Sequence, residues 1–155
     1  MSPTERVLTK LNSLGISTEV REFAESTATA EAAAKALGTT VGRIVKSLVF
    51  ATPNGQPVLA LVSGANRVDL ARLADLVGQP VRRANADQVR EATGFSIGGV
   101  PPIGHHAGLP VYVDADLLQF DQVWAAAGTP NSVFPIAPDE LVRVANGQVV
   151  GLKAG

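Results

Sequence analysis

A single lysine, Lys46, interrupts an apolar run at residues 43–51 (RIVKSLVFA). Burying an ammonium group among isoleucine, valine, leucine and phenylalanine is costly unless the group is paired, reaches water or faces a cleft. In an extended strand Lys46 points to the same side as Ile44 and Leu48, and the opposite side is apolar as well. Two interpretations remain open: the amine reaches the surface along its aliphatic stem, or it serves a site.

The second candidate is the loop at residues 98–104 (GGVPPIG). Adjacent glycines allow positive φ and a close approach of the backbone to a ligand, whereas Pro101 and Pro102 stiffen the chain. Free N–H groups in such a loop can hold a carbonyl oxygen or a developing oxyanion, each worth about 3 kcal/mol. The alternative is a rigid connection between a helix and a strand, and the pattern alone does not distinguish the two.

Two other motifs suggest hydrolytic chemistry. Residues 94–98 (GFSIG) match the G-x-S-x-G pattern around Ser96, but that motif needs a strand before the serine and a helix after it. A helical segment precedes Ser96 and two prolines follow it, so we do not predict a nucleophile. The adjacent His105 and His106 lack the spacing of a metal site, so we predict no metal and a polar loop tip in which His105 lies close enough to the loop to touch a ligand.

Composition restricts the class of protein. The 155 residues are 46% hydrophobic, which predicts one domain over residues 1–155. The chain has no cysteine, which excludes disulfides, thiolate metal sites and a cysteine nucleophile and is typical of a cytoplasmic protein. No apolar stretch approaches the roughly 18 residues of a membrane span, so we expect no membrane contact. With a net charge of −1, any contact with RNA must be local.

Helices and strands alternate along the chain, and two apolar runs around Asn54-Gly55 predict an antiparallel hairpin. This arrangement favours an α+β domain with a mixed sheet. Asp114 and Asp116 are expected to end a strand and begin a turn, and Trp124 to pack in the core. Capping residues, periodicity and turn residues predict helices at 2–15, 29–37, 70–77, 85–94 and 138–144 and strands at 18–23, 43–51, 57–62, 109–114, 120–126, 132–136 and 148–150.

Three segments in this order resemble the YbaK/prolyl-tRNA synthetase-associated domain family: the lysine strand 44–50, the G-x-x-x-P loop within 94–104, and residues 123–131 (VWAAAGTPN). Members are free-standing trans-editing factors or insertion domains of bacterial prolyl-tRNA synthetase, and they hydrolyse the ester between a wrong amino acid and tRNA. The resemblance implies a single α+β domain with a mostly antiparallel, barrel-like sheet flanked by helices. It also implies a cytoplasmic aminoacyl-tRNA deacylase that uses no cofactor.

The resemblance also assigns roles to residues of this chain. Lys46 would anchor the terminal adenosine phosphate or the ester carbonyl, and the loop would hold the reactive end of the substrate. Several members carry a lysine or arginine near Thr129, which leaves open whether alanine, cysteine, serine or threonine is removed. The implied catalytic residues are Lys46, Gly98, Gly99 and Pro102, and the implied substrate-binding residues are Val100, Pro101, Gly104, His105, Gly128 and Thr129.

An aminoacyl ester is already activated, so hydrolysis needs only a placed water, or the substrate's own hydroxyl or amine, and donors for the oxyanion. The implied partner is the acceptor 3′ end of a mischarged tRNA, from tRNA(Pro) or a related tRNA, with a synthetase or an elongation factor as a further candidate. The alternative is a non-catalytic tRNA- or synthetase-binding module, against which the presence of both Lys46 and the loop argues.

Overall fold

The computed structural model describes residues 1–106 and 108–155. Polar side chains begin most of the helices, as the sequence predicts: Ser2, Thr29, Asp69 and Asn85 each accept a hydrogen bond from an amide of the first turn. The helices of the described residues are α1 (Pro3–Ser13), α2 (Ala30–Leu37), α3 (Leu70–Val77), α4 (Ala86–Thr93) and α5 (Pro138–Ala145), with short 3-10 turns at Val41–Arg43 and Ala115–Gln119.

The strands form two sheets. They are β1 (Arg21–Glu22), β2 (Val45–Ala51), β3 (Pro57–Ser63), β4 (Arg82–Arg83), β5 (Val111–Asp114), β6 (Val123–Ala126), β7 (Ser132–Ile136) and β8 (Gln148–Val150). One sheet has the order β4-β2-β3-β5-β8 and the other β1-β7-β6. The predicted hairpin is β2 with β3, in a register that pairs Lys46 with Val62 and Ala51 with Pro57.

The predicted α+β class and the mixed, mostly antiparallel pairing are confirmed. Among the strands of the described residues, four pairings are antiparallel, and the pairings of β3 with β5 and of β5 with β8 are parallel. The expected barrel-like closure is wrong. Within the described residues β4 and β8 stay as the open edges of the larger sheet, and a single bridge between Ile44 and Trp124 connects that sheet to the smaller one. One bridge is too little pairing to close a barrel.

The clearest differences from the predicted elements concern three strands. The strand expected at 18–23 reduces to Arg21 and Glu22, because only these residues pair with β7. The strand expected from residue 120 begins at Val123, after a 3-10 turn. The short strand β4 is not predicted by any pattern in the sequence. Two arginines in a row show neither alternation nor β-branched residues.

The larger sheet is covered on both faces. Val49 and Leu61 face a core shared with Leu11 of α1 and Leu141 of α5, whereas the opposite face packs on Leu73 of α3. A third cluster joins the two sheets: the alanines of α2 pack on Ile44, Trp124 and Val133. No helix among the described residues is long and apolar enough to cross a membrane.

Candidate functional site

A cleft of about 390 Å³ opens where α2, the first half of β2 and the loop after α4 meet. Small side chains on α2 keep it open, since alanines project little into the space. Lys46, Gly98 and Val100, all of which belong to the predicted site, line this cleft together. The other lining residues are Thr27, Ala28, Thr29, Ala30, Glu31, Ala33, Ile44, Val45, Ser47, Leu48, Arg83, Ile97, Trp124, Ala126 and Val133.

The cleft follows an unpaired edge of β2. The Ala84 amide donates to the Val49 carbonyl and the Gly64 amide to the Ile44 carbonyl, so the peptide groups of β2 alternate between its two edges. By this alternation the N–H and C=O of Ser47 point away from β3, between the Ile44 bridge and the β4 pairing. Its Oγ is also buried with no hydrogen-bond partner among the described residues. Ser47 therefore brings unsatisfied polar groups to the cleft wall.

The Lys46 side chain is half-buried, and its Nζ donates a hydrogen bond to the Asn66 carbonyl. Burial lowers the pKa of Lys46 below its ordinary value of 10.5, and the positive charges of Arg83 and Arg67 act in the same direction. The negative charges of Glu31 and Asp114 oppose this shift in pKa. An ammonium group has three donors, so the amine keeps donor capacity for a ligand in the cleft.

Two carboxylates hold the side chain of Asn66, the residue whose backbone carbonyl accepts the hydrogen bond from Lys46. The amide of Asn66 donates from Nδ2 to Asp114 at 2.9 Å and to Asp116 at 2.8 Å. Asp114 is itself buried and also accepts the Ser63 amide at 3.1 Å. As predicted, Asp114 ends a strand, and it caps the turn by accepting the Asp116 amide at 3.0 Å. The contacts of the two carboxylates with the Asn66 side chain join segments about 50 residues apart, so the sequence does not reveal them.

The two adjacent glycines of the loop have different tasks. Gly98 is exposed, has a φ of +90°, and lies so close to Ala28 that an added Cβ would sit 3.2 Å from the Ala28 Cβ. Gly99 is buried, and a Cβ there would meet the backbone of Thr129 at 2.6 Å. Only Gly98 lines the cleft, so Gly99 and Thr129 serve as a close packing contact behind it.

The remaining predicted residues do not line the cleft. Pro101 and Pro102 are buried, and the His105 Nε2 donates to the Pro101 carbonyl at 2.7 Å across the loop. Burial lowers the pKa of His105, and the hydrogen bond to the Pro101 carbonyl opposes this shift. Gly104 has a φ of +82°, and Gly128 packs against the first residue of α1. Their roles in substrate binding stay predictions.

Sequence reasoning missed several lining residues. Glu31 lies in the first turn of α2 and Arg83 in the two-residue strand β4, and neither forms an ion pair among the described residues, whose salt bridges are Arg43–Asp121 and Glu140–Arg143. Trp124, predicted to be a core residue, is 8% exposed and lines the cleft as well. The sequence shows that Glu31 and Arg83 are charged. It does not show that both side chains lie at the same cleft.

The alternative hydrolytic motifs do not form sites. The Ser96 hydroxyl contacts Arg90, whose Nη2 donates to it at 3.3 Å, and Ser96 does not line the cleft. The preceding segment is the helix α4, as predicted, rather than the strand that a nucleophile elbow needs. In residues 1–106 and 108–155 no cluster of three or more histidine, aspartate or glutamate side chains is suited to hold a metal ion.

Known proteins share this sequence and fold. The aminoacyl-tRNA editing domain family matches residues 24–144. The uncharacterized protein YwhH of Bacillus subtilis is 37% identical over 123 residues, which are 79% of this chain and 78% of YwhH. EbsC of Enterococcus faecalis, named as a proposed Cys-tRNA(Pro)/Cys-tRNA(Cys) deacylase, is 32% identical over 130 residues, which are 82% of this chain and 79% of EbsC.

A solved structure agrees with the whole fold. It is the crystal structure of a protein proposed to be a trans-editing enzyme for prolyl-tRNA synthetase, with 48% sequence identity and a TM-score of 0.93. The match covers 100% of this chain and 99% of that one. Because the family match spans most of the chain and includes the lysine strand and the glycine loop, the protein belongs to the aminoacyl-tRNA editing domain family.

Proposed function

We propose that this protein is an aminoacyl-tRNA deacylase that acts in trans on mischarged tRNA. The observation that carries the proposal is that the Lys46 ammonium group and the Gly98 backbone line one cleft. The names of the relatives support the same class of reaction. A tRNA substrate also implies a cytoplasmic protein, with a synthetase or an elongation factor as a candidate partner.

The chemistry requires few protein groups. Lys46 binds a phosphate of the terminal nucleotide or the ester carbonyl, and backbone N–H groups of the loop around Gly98 stabilise the carbonyl oxygen as it gains negative charge. A water molecule attacks the carbonyl carbon. With water, the C–O bond to the ribose breaks, the carbonyl carbon keeps the hydroxyl, and the ribose oxygen takes the proton.

The walls of the cleft set the size of the amino acid. Ala28, Ala30, Ala33 and Ala126 leave space, while Trp124 limits it on one side. Such a pocket would accept a small residue and reject a larger one. A synthetase cannot exclude a smaller residue by binding alone, because one missing methylene supplies only about 1–3 kcal/mol of discrimination. We therefore propose alanine, cysteine, serine or threonine as the amino acid that is removed, from tRNA(Pro) or a related tRNA.

A panel of mischarged tRNAs tests the proposal. In a first series one tRNA carries different amino acids, and in a second series different tRNAs carry the same amino acid. A filter assay follows deacylation of each substrate. We expect Lys46→Ala to lower the rate on the preferred substrate by about 100-fold or more, since it removes a charged contact to the reacting end. Lys35→Ala, an exposed lysine of α2 outside the cleft, is the matched control.

An unchanged rate in Lys46→Ala would contradict the role of this lysine. If the wild-type protein binds tRNA but deacylates none of the mischarged species, the protein is a binding module that keeps the fold without the reaction.

A further inference from the structure

A second cavity of about 230 Å³ adjoins the cleft. It shares Lys46, Leu48 and Arg83 with the cleft, so these three residues form the boundary between the two spaces. We call this cavity the second groove. Its residues are Lys46, Leu48, Phe50, Arg67, Val68, Leu70 and Arg83.

The second groove combines cations with an apolar floor. Arg67 and Arg83 are exposed, and neither has an acidic partner within salt-bridge distance among residues 1–106 and 108–155. The Arg83 guanidinium lies 5.8 Å from the centroid of the Phe50 ring. Leu70 is 48% exposed, so its side chain offers apolar surface to the groove.

Unpaired cations beside an apolar surface match the chemistry of single-stranded nucleic acid, which presents phosphates and flat base faces. In a protein with a net charge of −1 such a local patch must supply the attraction. If the aminoacyl ester occupies the cleft and Lys46 binds a phosphate of the terminal nucleotide, the strand that carries the ester passes the Lys46 boundary. The second groove lies directly beyond that boundary.

We propose that the second groove binds the single-stranded nucleotides immediately 5′ of the terminal adenosine. A phosphate lies between Arg67 and Arg83, and a base rests on the apolar floor beside Leu70. This inference rests on the proposed function, because the position of the aminoacyl ester in the cleft sets the direction in which the RNA strand runs. It assigns Arg67, which does not line the cleft, to recognition of the polynucleotide rather than of the ester.

Substrates of increasing length separate the two spaces. They are an aminoacyl ester of adenosine alone, the same ester on a CCA trinucleotide, and the mischarged tRNA. At a pH where Lys46 is fully protonated, we expect Arg67→Gln to lower kcat/KM about tenfold on the trinucleotide and the tRNA, the effect of one lost phosphate contact, and to leave kcat/KM on the adenosine ester unchanged. Arg72→Gln, an exposed arginine outside the second groove, is the matched control.

An equal loss on the adenosine ester, or no loss on the trinucleotide, would overturn the assignment. The slope of log affinity against log salt for tRNA should also fall by about one in Arg67→Gln.

Binding gives a readout that does not need hydrolysis. Fluorescence anisotropy of a labelled, uncharged CCA trinucleotide is measured with wild type, Leu70→Glu and the control Leu118→Glu, another exposed leucine. A glutamate at position 70 repels phosphate but is tolerated by the helix, since it lies in the first turn of α3. We expect weaker binding only in Leu70→Glu.

These measurements separate failure of the groove from failure of the proposed function. If wild type binds the trinucleotide, Leu70→Glu does not, and no ester is hydrolysed, the groove stands and the deacylase proposal fails. If esters are hydrolysed and the groove variants match wild type in binding and in kcat/KM, the groove is wrong. Failure of wild type to bind the trinucleotide also overturns it.

Discussion

The two halves of β2 differ in how their edges are used. In the second half, Phe50 and Ala51 pair with β3 on one edge and β4 on the other, and both side chains are buried. In the first half, Ser47 pairs with β3 alone, and the side chains from Lys46 to Leu48 are only half-buried. The comparison shows that, among the described residues, the cleft lies where β2 has a neighbouring strand on one edge but not on the other.

The cause lies in the short strand β4. The chain pairs with β2 for two residues and then begins α4, because Asn85 caps the helix with Gln88 in a capping box. The other side of the gap is bounded by the single Ile44–Trp124 bridge. Among the described residues the first half of β2 therefore leaves polar groups of Ser47 unpaired at the cleft wall, while the second half is paired on both edges.

The largest difference between the halves should appear in stability. Phe50 is 1% exposed, so Phe50→Ala removes a buried ring and should cost about 3–5 kcal/mol in the free energy of unfolding. Lys46→Ala removes one hydrogen bond from a half-buried group and should cost about 1 kcal/mol. Urea unfolding of both variants measures the two values. Similar costs would contradict the division of β2 into a structural half and a functional half.

If Phe50→Ala is too unstable to purify, Phe50→Leu provides the comparison. It keeps most of the buried apolar volume and should still cost about 1 kcal/mol.

Two glycines sharpen the comparison at the level of the backbone. Gly98 lies beside the first half of β2 and has a φ of +90°. Gly55 lies in the hairpin turn that follows the second half and has a φ of +83°. An alanine should cost each about 1 kcal/mol in stability. Only Gly98→Ala should also lower deacylation, by about tenfold, because its Cβ would lie 3.2 Å from the Ala28 Cβ in the cleft and displace the loop backbone. Thermal unfolding and the filter assay measure the two effects.

A similar loss of activity in Gly55→Ala would show that the effect of Gly98→Ala comes from destabilisation alone.

The smallest expected effect is a shift in the pH profile. Lys46 acts as a cation, so enzymatic deacylation, corrected for spontaneous hydrolysis, should fall as the pH rises through its lowered pKa. The Glu31 carboxylate raises that pKa and the Arg83 guanidinium lowers it. The alkaline limb should therefore move to lower pH in Glu31→Gln and to higher pH in Arg83→Gln. A rate profile on the adenosine ester measures both shifts, and movement in the same direction would contradict the assignment of the limb to Lys46.

Local patterns predicted most of the elements of this fold. Caps and glycine stops located the helices, and Asn54-Gly55 located the hairpin, because these signals act within a few residues. The barrel-like closure was wrong and the strand at 18–23 was too long, since both depend on which strands find partners. Strand β4 was missed because pairing with β2, and not its own sequence, makes Arg82 and Arg83 a strand.

The candidate site was predicted in part. Lys46 and Gly98 were identified from a cation in an apolar run and from a glycine loop, together with the family resemblance, and the structure brings them to one cleft. Arg83, Glu31 and the support of Lys46 by Asn66 were not predicted. Each depends on a contact between residues far apart in the chain.

The sequence by itself determined the helices, the hairpin and the lysine that an apolar strand cannot bury without cost. Those features follow from interactions between near neighbours and from the energy of desolvating a charge. Only the tertiary structure decided that β4 stops short, that the peptide groups of Ser47 stay free, and that Arg67 and Arg83 border a second groove. These outcomes depend on how distant segments pack, because a strand edge is open or closed according to which other segment reaches it.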